Sequence, residues 1–367
     1  MQTNRRYWLK QIGLGVAGVG LANLKSFASP TQYFFKYAAD TLPIKLSSNE
    51  NPYGSSPLAK TAMVETINIS NRYNWQLTSK LIEALAKKNN VAADNILMGA
   101  GSTEILDLVA RFSALKKGNF IIANPSYGYW TDTAQKLGLK KITVPLTACK
   151  QLNLDAMLKS ISPATKLIYV CNPNNPTGTI CDRSKLIEFI NEATKKAIVL
   201  VDEAYIDFTD QQSLSTLVIE NKNLIVAKTF SKIYGLAAAR VGYAIGNSNT
   251  LERLSELQSW INGSISVVST AAALATLKDE RFVSETYSLN QKARQFTTEQ
   301  LKKLNLDCIP SYSNFIYFSL ENYKKDFFGQ LKTNNIIGTK IYEEEGKWTR
   351  ITVGTMQEMQ KFISAIE

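Results

Sequence analysis

Between about residues 65 and 260 the chain alternates short apolar runs with helical stretches, and each run empties into a turn rich in glycine, proline or asparagine. The runs fall at 96–98, 119–123, 166–171, 197–201 and 223–227. Strands that are apolar on both faces must be covered on both faces, so the pattern predicts a mostly parallel central sheet sandwiched by helices. Ligands bind at the carboxyl ends of strands in such sheets. The polar residues of interest in this sequence all follow those ends.

The run at 223–227 leads into Thr229, Ser231 and Lys232, with Arg240 eight residues beyond the lysine. Two hydroxyls and a forked guanidinium are suited to gripping a phosphate. An amine beside an anchored phosphate points to a lysine that holds pyridoxal phosphate as a Schiff base. Upstream, Gly99-Ala100-Gly101-Ser102-Thr103-Glu104 is a glycine turn opening a helix, where free backbone amides and the positive helix end also favour a phosphate. The run at 197–201 delivers Asp202. A carboxylate there is costly to bury without a cation, and a protonated pyridine nitrogen is one. Each residue has an ordinary alternative: Lys232 and Arg350 as surface cations, Ser102 as a helix cap, Tyr127 as a core aromatic, Tyr53 as a turn residue.

The chain of 367 residues has no histidine, which rules out histidine general bases, Ser-His-Asp and Cys-His catalysis and histidine-ligated zinc. A lysine or a carboxylate must carry any proton transfer. The four cysteines Cys149, Cys171, Cys181 and Cys308 have no metal-ligand spacing, and no metal site is expected. The formal charge is +11, of which Arg5, Arg6, Lys10 and Lys25 carry four. The remaining lysines are scattered with no basic, aromatic-interleaved stripe, so the surface suits anionic small molecules and no nucleic-acid partner is expected.

The stretch Ser231-Lys232-Ile233-Tyr234-Gly235-Leu236 with Arg240-Val241-Gly242-Tyr243 resembles the lysine motif of fold-type I pyridoxal-phosphate enzymes, most closely the histidinol-phosphate aminotransferase-like members of the class I/II aminotransferases. The resemblance covers about residues 44 to 367 and includes Asn49-Glu50-Asn51-Pro52-Tyr53, Arg72-Tyr73 and Asn172-Pro173-Asn174-Asn175-Pro176-Thr177-Gly178. Also matching are Asp202-Glu203-Ala204-Tyr205 and Arg350-Ile351-Thr352-Val353-Gly354.

It implies an aminotransferase in which Lys232 forms the aldimine and shuttles the proton, Asp202 holds the ring nitrogen, and Tyr205 and Asn175 donate to the phenolic oxygen. Tyr127 would stack on the ring. Gly101, Ser102, Thr103, Thr229, Ser231 and Arg240 would hold the phosphate, joined by Tyr73 of a neighbouring subunit in a homodimer. Asn49, Tyr53, Asn175 and Arg350 would bind substrate, an amino acid or histidinol phosphate with a 2-oxo acid acceptor. Two departures stand out: Tyr73 is followed by Asn74-Trp75, and Gly338-Thr339-Lys340 fills the place of a frequent second arginine. A decarboxylase or an amino-acid oxidase on the same motifs, or a non-catalytic cofactor-binding protein, are the alternatives.

Asn4-Arg5-Arg6-Tyr7-Trp8-Leu9-Lys10, an apolar segment at 12–24 and Ser26-Phe27-Ala28 resemble a twin-arginine export signal over residues 1–28, which implies a periplasmic protein; a cytoplasmic one is the alternative. The segment is too short and glycine-rich for stable membrane insertion. An N-terminal arm is expected over 29–64, a large cofactor-binding domain over 65–275, and a smaller C-terminal α+β domain over 276–367 that begins with a polar helix near 279–304.

Overall fold

Odd and even residues of the central strands separate into two different cores. Met98, Ile121, Ile168, Val170, Val199, Val201 and Val226 pack on one side, and Leu97, Phe120, Ile122, Leu167, Tyr169, Leu200 and Ile225 on the other. Successive side chains of a strand point to opposite faces, so a continuous apolar run serves two helical layers at once. The structure is a computed structural model that describes residues 42–260, 262 and 265–367. The expected export signal and residues 29–41 of the expected arm lie outside the described residues.

The central sheet has strands β2 (Ile96–Gly99), β3 (Gly118–Asn124), β4 (Leu139–Pro145), β5 (Thr165–Cys171), β6 (Ile198–Asp202), β7 (Leu224–Thr229) and β8 (Gly242–Gly246) in the order β2-β8-β7-β6-β5-β3-β4. All pairings are parallel except those of β8, which runs antiparallel to β7 and β2. The register sets Cys171 beside Asp202, Asp202 beside Ala227, and Thr229 beside Gly242. Because β8 is reversed, its first residues lie at the edge where its neighbours end, which brings Arg240 to the same edge as Lys232.

A second, antiparallel sheet orders β12 (Ile341–Glu343), β13 (Trp348–Thr352), β10 (Phe315–Ser319) and β9 (Cys308–Ile309). Its core contains Ile316, Phe318, Ile351, Met359 and Phe362 together with Leu46 from the far end of the sequence. Leu46 is drawn in because β1 (Ile44–Lys45) pairs in parallel with β11 (Ile336–Ile337) and Thr352 N–H donates to the Leu46 carbonyl at 2.9 Å. The terminal helix Met356–Ile366 starts at a capping box of Thr355 and Glu358.

The polar stretch near 279–304 is the helix Glu280–Lys303, capped by the Asp279 side chain. The expected boundary at 64/65 falls inside the helix Pro57–Thr66, which packs against the helix Val267–Thr276. Among the described residues no helix is long and apolar enough to cross a membrane.

Candidate active site

The carboxyl edge of the central sheet and the second sheet enclose a cavity of about 870 Å³. Lys232 enters it just beyond β7. Its Nζ lies 3.3 Å from the Ser48 carbonyl and 5.5 Å from the centre of the Tyr205 ring. Burial, and then the nearby Arg350 guanidinium, lower its pKa to about 8. An amine with that pKa is available as a nucleophile near neutrality, which a solvated lysine is not.

Asp202 closes β6 and is fully buried. It accepts from the Tyr169 hydroxyl at 2.9 Å and from Ala204 N–H at 3.1 Å. Burial raises its pKa to about 6 despite both bonds. Among the described residues it makes no direct ion pair, so it is a carboxylate that a ring cation would stabilise.

At the other end of the cavity, Ser231 N–H donates to Thr229 Oγ1 at 3.1 Å and the two hydroxyls lie 3.0 Å apart. Arg240 takes a left-handed backbone, φ +54°, an unfavourable conformation for a residue with a side chain. Its guanidinium reaches the Ser231 hydroxyl and the Ala237 and Ala100 carbonyls. Gly101 precedes the helix Ser102–Ser113, and a β-carbon there would lie 2.2 Å from Arg240 Nη2. The positive end of that helix thus converges with a guanidinium and two hydroxyls, an arrangement that needs an anion between them. The cavity thus brings together an amine of lowered pKa, a buried carboxylate and a cationic cradle.

From the second sheet, Arg350 on β13 lines the cavity. Its Nη1 donates to Asn175 Oδ1 at 2.6 Å and its Nη2 to the Ser47 carbonyl at 2.7 Å. Asn175 Nδ2 lies 3.3 Å and Asn49 Nδ2 3.0 Å from the Tyr205 hydroxyl. Burial pushes that hydroxyl's pKa up, so it stays protonated and can donate. Tyr127 shares a side-chain hydrogen bond with Thr103, and burial raises its pKa too.

Asn49, Ser102, Thr103, Tyr127, Asn175, Asp202, Tyr205, Thr229, Ser231, Lys232, Arg240 and Arg350 all line this cavity. Gly101 stands behind the wall against Arg240. Tyr53 does not line it; its N–H donates to the Asn51 side chain and its ring is half-buried beside the turn. Tyr73 does not line it either: it is 76 % exposed and clusters with Trp75 and Trp260 at 5.9 and 5.1 Å.

Sequence reasoning passed over Tyr169, Tyr129 and Tyr342, and it noted Thr339 and Lys340, which line the cavity, only as filling the place of a second arginine. Tyr169 sits two residues before Cys171 on the same strand face, and that alternation was the available signal. The Arg350 guanidinium lies 5.3 Å from the centre of the Phe315 ring and 5.4 Å from that of Tyr342, a placement that depends on a distant strand pairing.

The family model described as aminotransferase class I and II matches residues 42–366. Among curated proteins, the histidinol-phosphate aminotransferase of Moorella thermoacetica is 33% identical, covering 88% of this chain and 84% of its own. That of Caldicellulosiruptor saccharolyticus is 34% identical, covering 88% and 91%. Among solved structures, the putative histidinol-phosphate aminotransferase of Erwinia carotovora atroseptica superposes with a TM-score of 0.83 at 29% identity, over 88% of this chain and 95% of that one. The histidinol-phosphate aminotransferase of Sinorhizobium meliloti in complex with pyridoxal-5'-phosphate has the same fold, with a TM-score of 0.81 at 23% identity over 89% and 90% of the two chains.

Proposed function

This chain belongs to the class I and II aminotransferases and is a pyridoxal-phosphate-dependent transaminase, and from that premise we propose that it takes its amino group from an amino acid whose carboxylate lies on Arg350 and passes it to a 2-oxo acid. The observation that carries the reading is the position of Lys232, a half-buried amine of lowered pKa in the cavity that Arg240 and Arg350 also line.

In this reading Gly101, Ser102, Thr103, Thr229, Ser231 and Arg240 hold the cofactor phosphate, Tyr127 packs on its ring, and Asn175 and Tyr205 donate to its phenolic oxygen. Bound there, pyridoxal phosphate supplies an electron sink for the electrons released at the substrate α-carbon. Asp202 keeps the ring nitrogen protonated. Arg350 orients the substrate by a planar, two-pronged grip on its carboxylate. Lys232 Nζ would hold the cofactor and, as a free amine, would take and return the proton at the substrate α-carbon. Lys340 also lines the cavity, but its Nζ lies over the Tyr342 ring at 5.6 Å, whereas Lys232 Nζ lies over the Tyr205 ring.

Histidinol phosphate, the substrate that the relatives' names carry, is disfavoured. At the substrate end Arg350 is the one guanidinium among the described cavity residues, and Thr339 stands near it, bonded to the Arg350 carbonyl at 2.5 Å. A dianionic phosphate would be better served by two guanidinium groups. A donor screen with a 2-oxo acid acceptor decides this: preference for common amino acids is expected, and clear preference for histidinol phosphate overturns it. Borohydride reduction of the yellow protein should fix the cofactor on Lys232; label on Lys228 would refute the assignment.

We propose further that the enzyme is a homodimer in which Tyr73 serves the neighbour's phosphate site. Its support is that Tyr73 does not line its own cavity and clusters with Trp75 and Trp260, all three exposed, with Ile67 and Ile69 exposed a few residues before it in the sequence. Export by the twin-arginine route is proposed from the sequence alone: Arg5 and Arg6, the apolar segment at 12–24 and Ser26-Phe27-Ala28.

A further inference from the structure

Outside the cavity, one ion pair ties the two sheets together. Lys150 belongs to a tight turn after β4 in which Lys150 N–H donates to the Thr147 carbonyl and Thr147 N–H to the Gln151 carbonyl, both at 2.9 Å. Its Nζ lies 2.9 Å from Glu343 Oε2 on β12 and 4.9 Å from the centre of the Trp348 ring. The Tyr317 hydroxyl donates to the other Glu343 oxygen at 2.7 Å, and Tyr317 stacks on Trp348 at 5.3 Å. Side-chain exposures of 18% and 24% set this pair apart from a solvated surface pair.

Both ends of the pair lead back to substrate-binding residues. On one side, the Lys150 carbonyl accepts from Thr179 Oγ1 at 2.9 Å, and Thr179 bonds Thr177 at 2.8 Å. Asn174 donates to Thr177 at 3.0 Å and accepts from Ser126 at 2.7 Å. That chain supports the loop whose next residue, Asn175, holds Arg350 Nη1. On the other side, the pairing of β12 with β13 is irregular between Ile341 and Glu343, so Tyr342 occupies a bulge. A bulge re-aims the side chain it carries, and here Tyr342 lies beside the Arg350 guanidinium. Lys150 holds a left-handed backbone, φ +57°, which persists only where its surroundings fix it.

We propose that Lys150 and Glu343 form a positioning pair that sets the wall carrying Arg350 and Tyr342 at its working distance from the wall carrying Lys232 and Asn175. The pair acts on substrate through these residues and not by touching it. The inference rests on the reading of Arg350 as the carboxylate anchor.

The test uses the cofactor-loaded enzyme and its Lys150→Met, Glu343→Gln, doubly substituted, Lys150→Arg and Arg350→Lys variants. Propionate binding is followed through the cofactor absorbance, and KM and kcat are measured with the best donor from the screen. Lys150→Met and Glu343→Gln should each weaken propionate binding and raise KM by about three- to tenfold, with no further loss in the double variant because the two act as a unit. The kcat, cofactor affinity and melting temperature should hold, and Lys150→Arg should restore binding. Unchanged propionate binding in Lys150→Met, additive losses in the double variant, or a parallel fall in cofactor affinity and melting temperature would each overturn the proposal. Arg350→Lys separates the two readings. If it leaves propionate binding intact, the anchor reading fails; if it weakens binding while Lys150→Met does not, only the positioning pair fails.

Discussion

The Tyr169 hydroxyl donates to Asp202 Oδ2 at 2.9 Å from the neighbouring strand, and it is the only side chain among the described residues that hydrogen-bonds this buried carboxylate. One neutral donor and one backbone N–H do not offset the burial, so the folded pKa stands at about 6 against an ordinary 3.8. The sign follows: a carboxylate whose folded pKa is raised costs stability when ionised. The cost is absent below about pH 4, grows up to about pH 6 and is complete above it.

Asp202→Asn should therefore leave the apoprotein as stable as the parent at pH 4 and more stable at pH 7.5, by up to about 3 kcal/mol, while cofactor-loaded turnover falls by more than a hundredfold. Thermal unfolding of both apoproteins at the two pH values checks it. A variant less stable at pH 7.5 would show that Asp202 is satisfied without a ring cation.

Lys232 titrates in the opposite sense, its pKa lowered to about 8 by burial and by Arg350. In the apoprotein its acylation by a small amine reagent, followed by peptide mapping, should have a midpoint near pH 8, and Arg350→Met should move that midpoint upward. A downward shift would mean that Arg350 does not act on the amine through its charge.

Arg240→Ala removes the guanidinium that faces Gly101 and Ser231. Losing one charge-assisted contact to the phosphate should weaken pyridoxal-phosphate binding about ten- to a hundredfold, measured by equilibrium dialysis, with the apoprotein's fold retained by circular dichroism. Unaltered affinity would remove Arg240 from the phosphate site.

Mixing Tyr73→Phe subunits with Lys232→Ala subunits tests the shared site. If Tyr73 serves its neighbour, the mixed dimer holds one site with both substitutions and one with neither, so activity should recover to about half that of the parent per site formed. No recovery from a stable mixed dimer, or full activity of a monomer, would contradict that role.

Replacing Arg5 and Arg6 by lysines should retain the protein in the cytoplasm of a host with a twin-arginine system, as cell fractionation would show. Unchanged export would make the arginine pair incidental.

The central sheet was legible because its strands are apolar on both faces and end in turn residues, and these are local signals. The runs ending at Cys171, Asp202 and Thr229 therefore gave both the elements and the edge where polar residues collect. The reversed β8 was not legible, since five residues from Gly242 to Gly246 carry no mark of direction. Nor was the arrival of Leu46 in the C-terminal core, a pairing across nearly three hundred residues. Tyr342 escaped for a related reason: its aim depends on a bulge, and a bulge is a mismatch between two strands rather than a property of either one. Asn74, one of the departures from the family's pattern, caps Leu77 N–H at 3.0 Å and so starts the helix Trp75–Asn89.

The reversal of β8 also limits how this chain can diverge. Thr229 and Gly242 are locked in register as neighbours, and between them the chain must present Lys232, turn at Gly235 and return Arg240 to the same edge. Gly235 has φ +68° and its α-carbon lies so close to the Gly54 carbonyl that a β-carbon would sit 1.9 Å from that oxygen. An insertion or deletion between 229 and 242 would misplace one charge relative to the other or drive the turn into Gly54. Descendants of this sequence should accumulate length changes in outer connections such as 321–326, while this segment drifts by substitution alone.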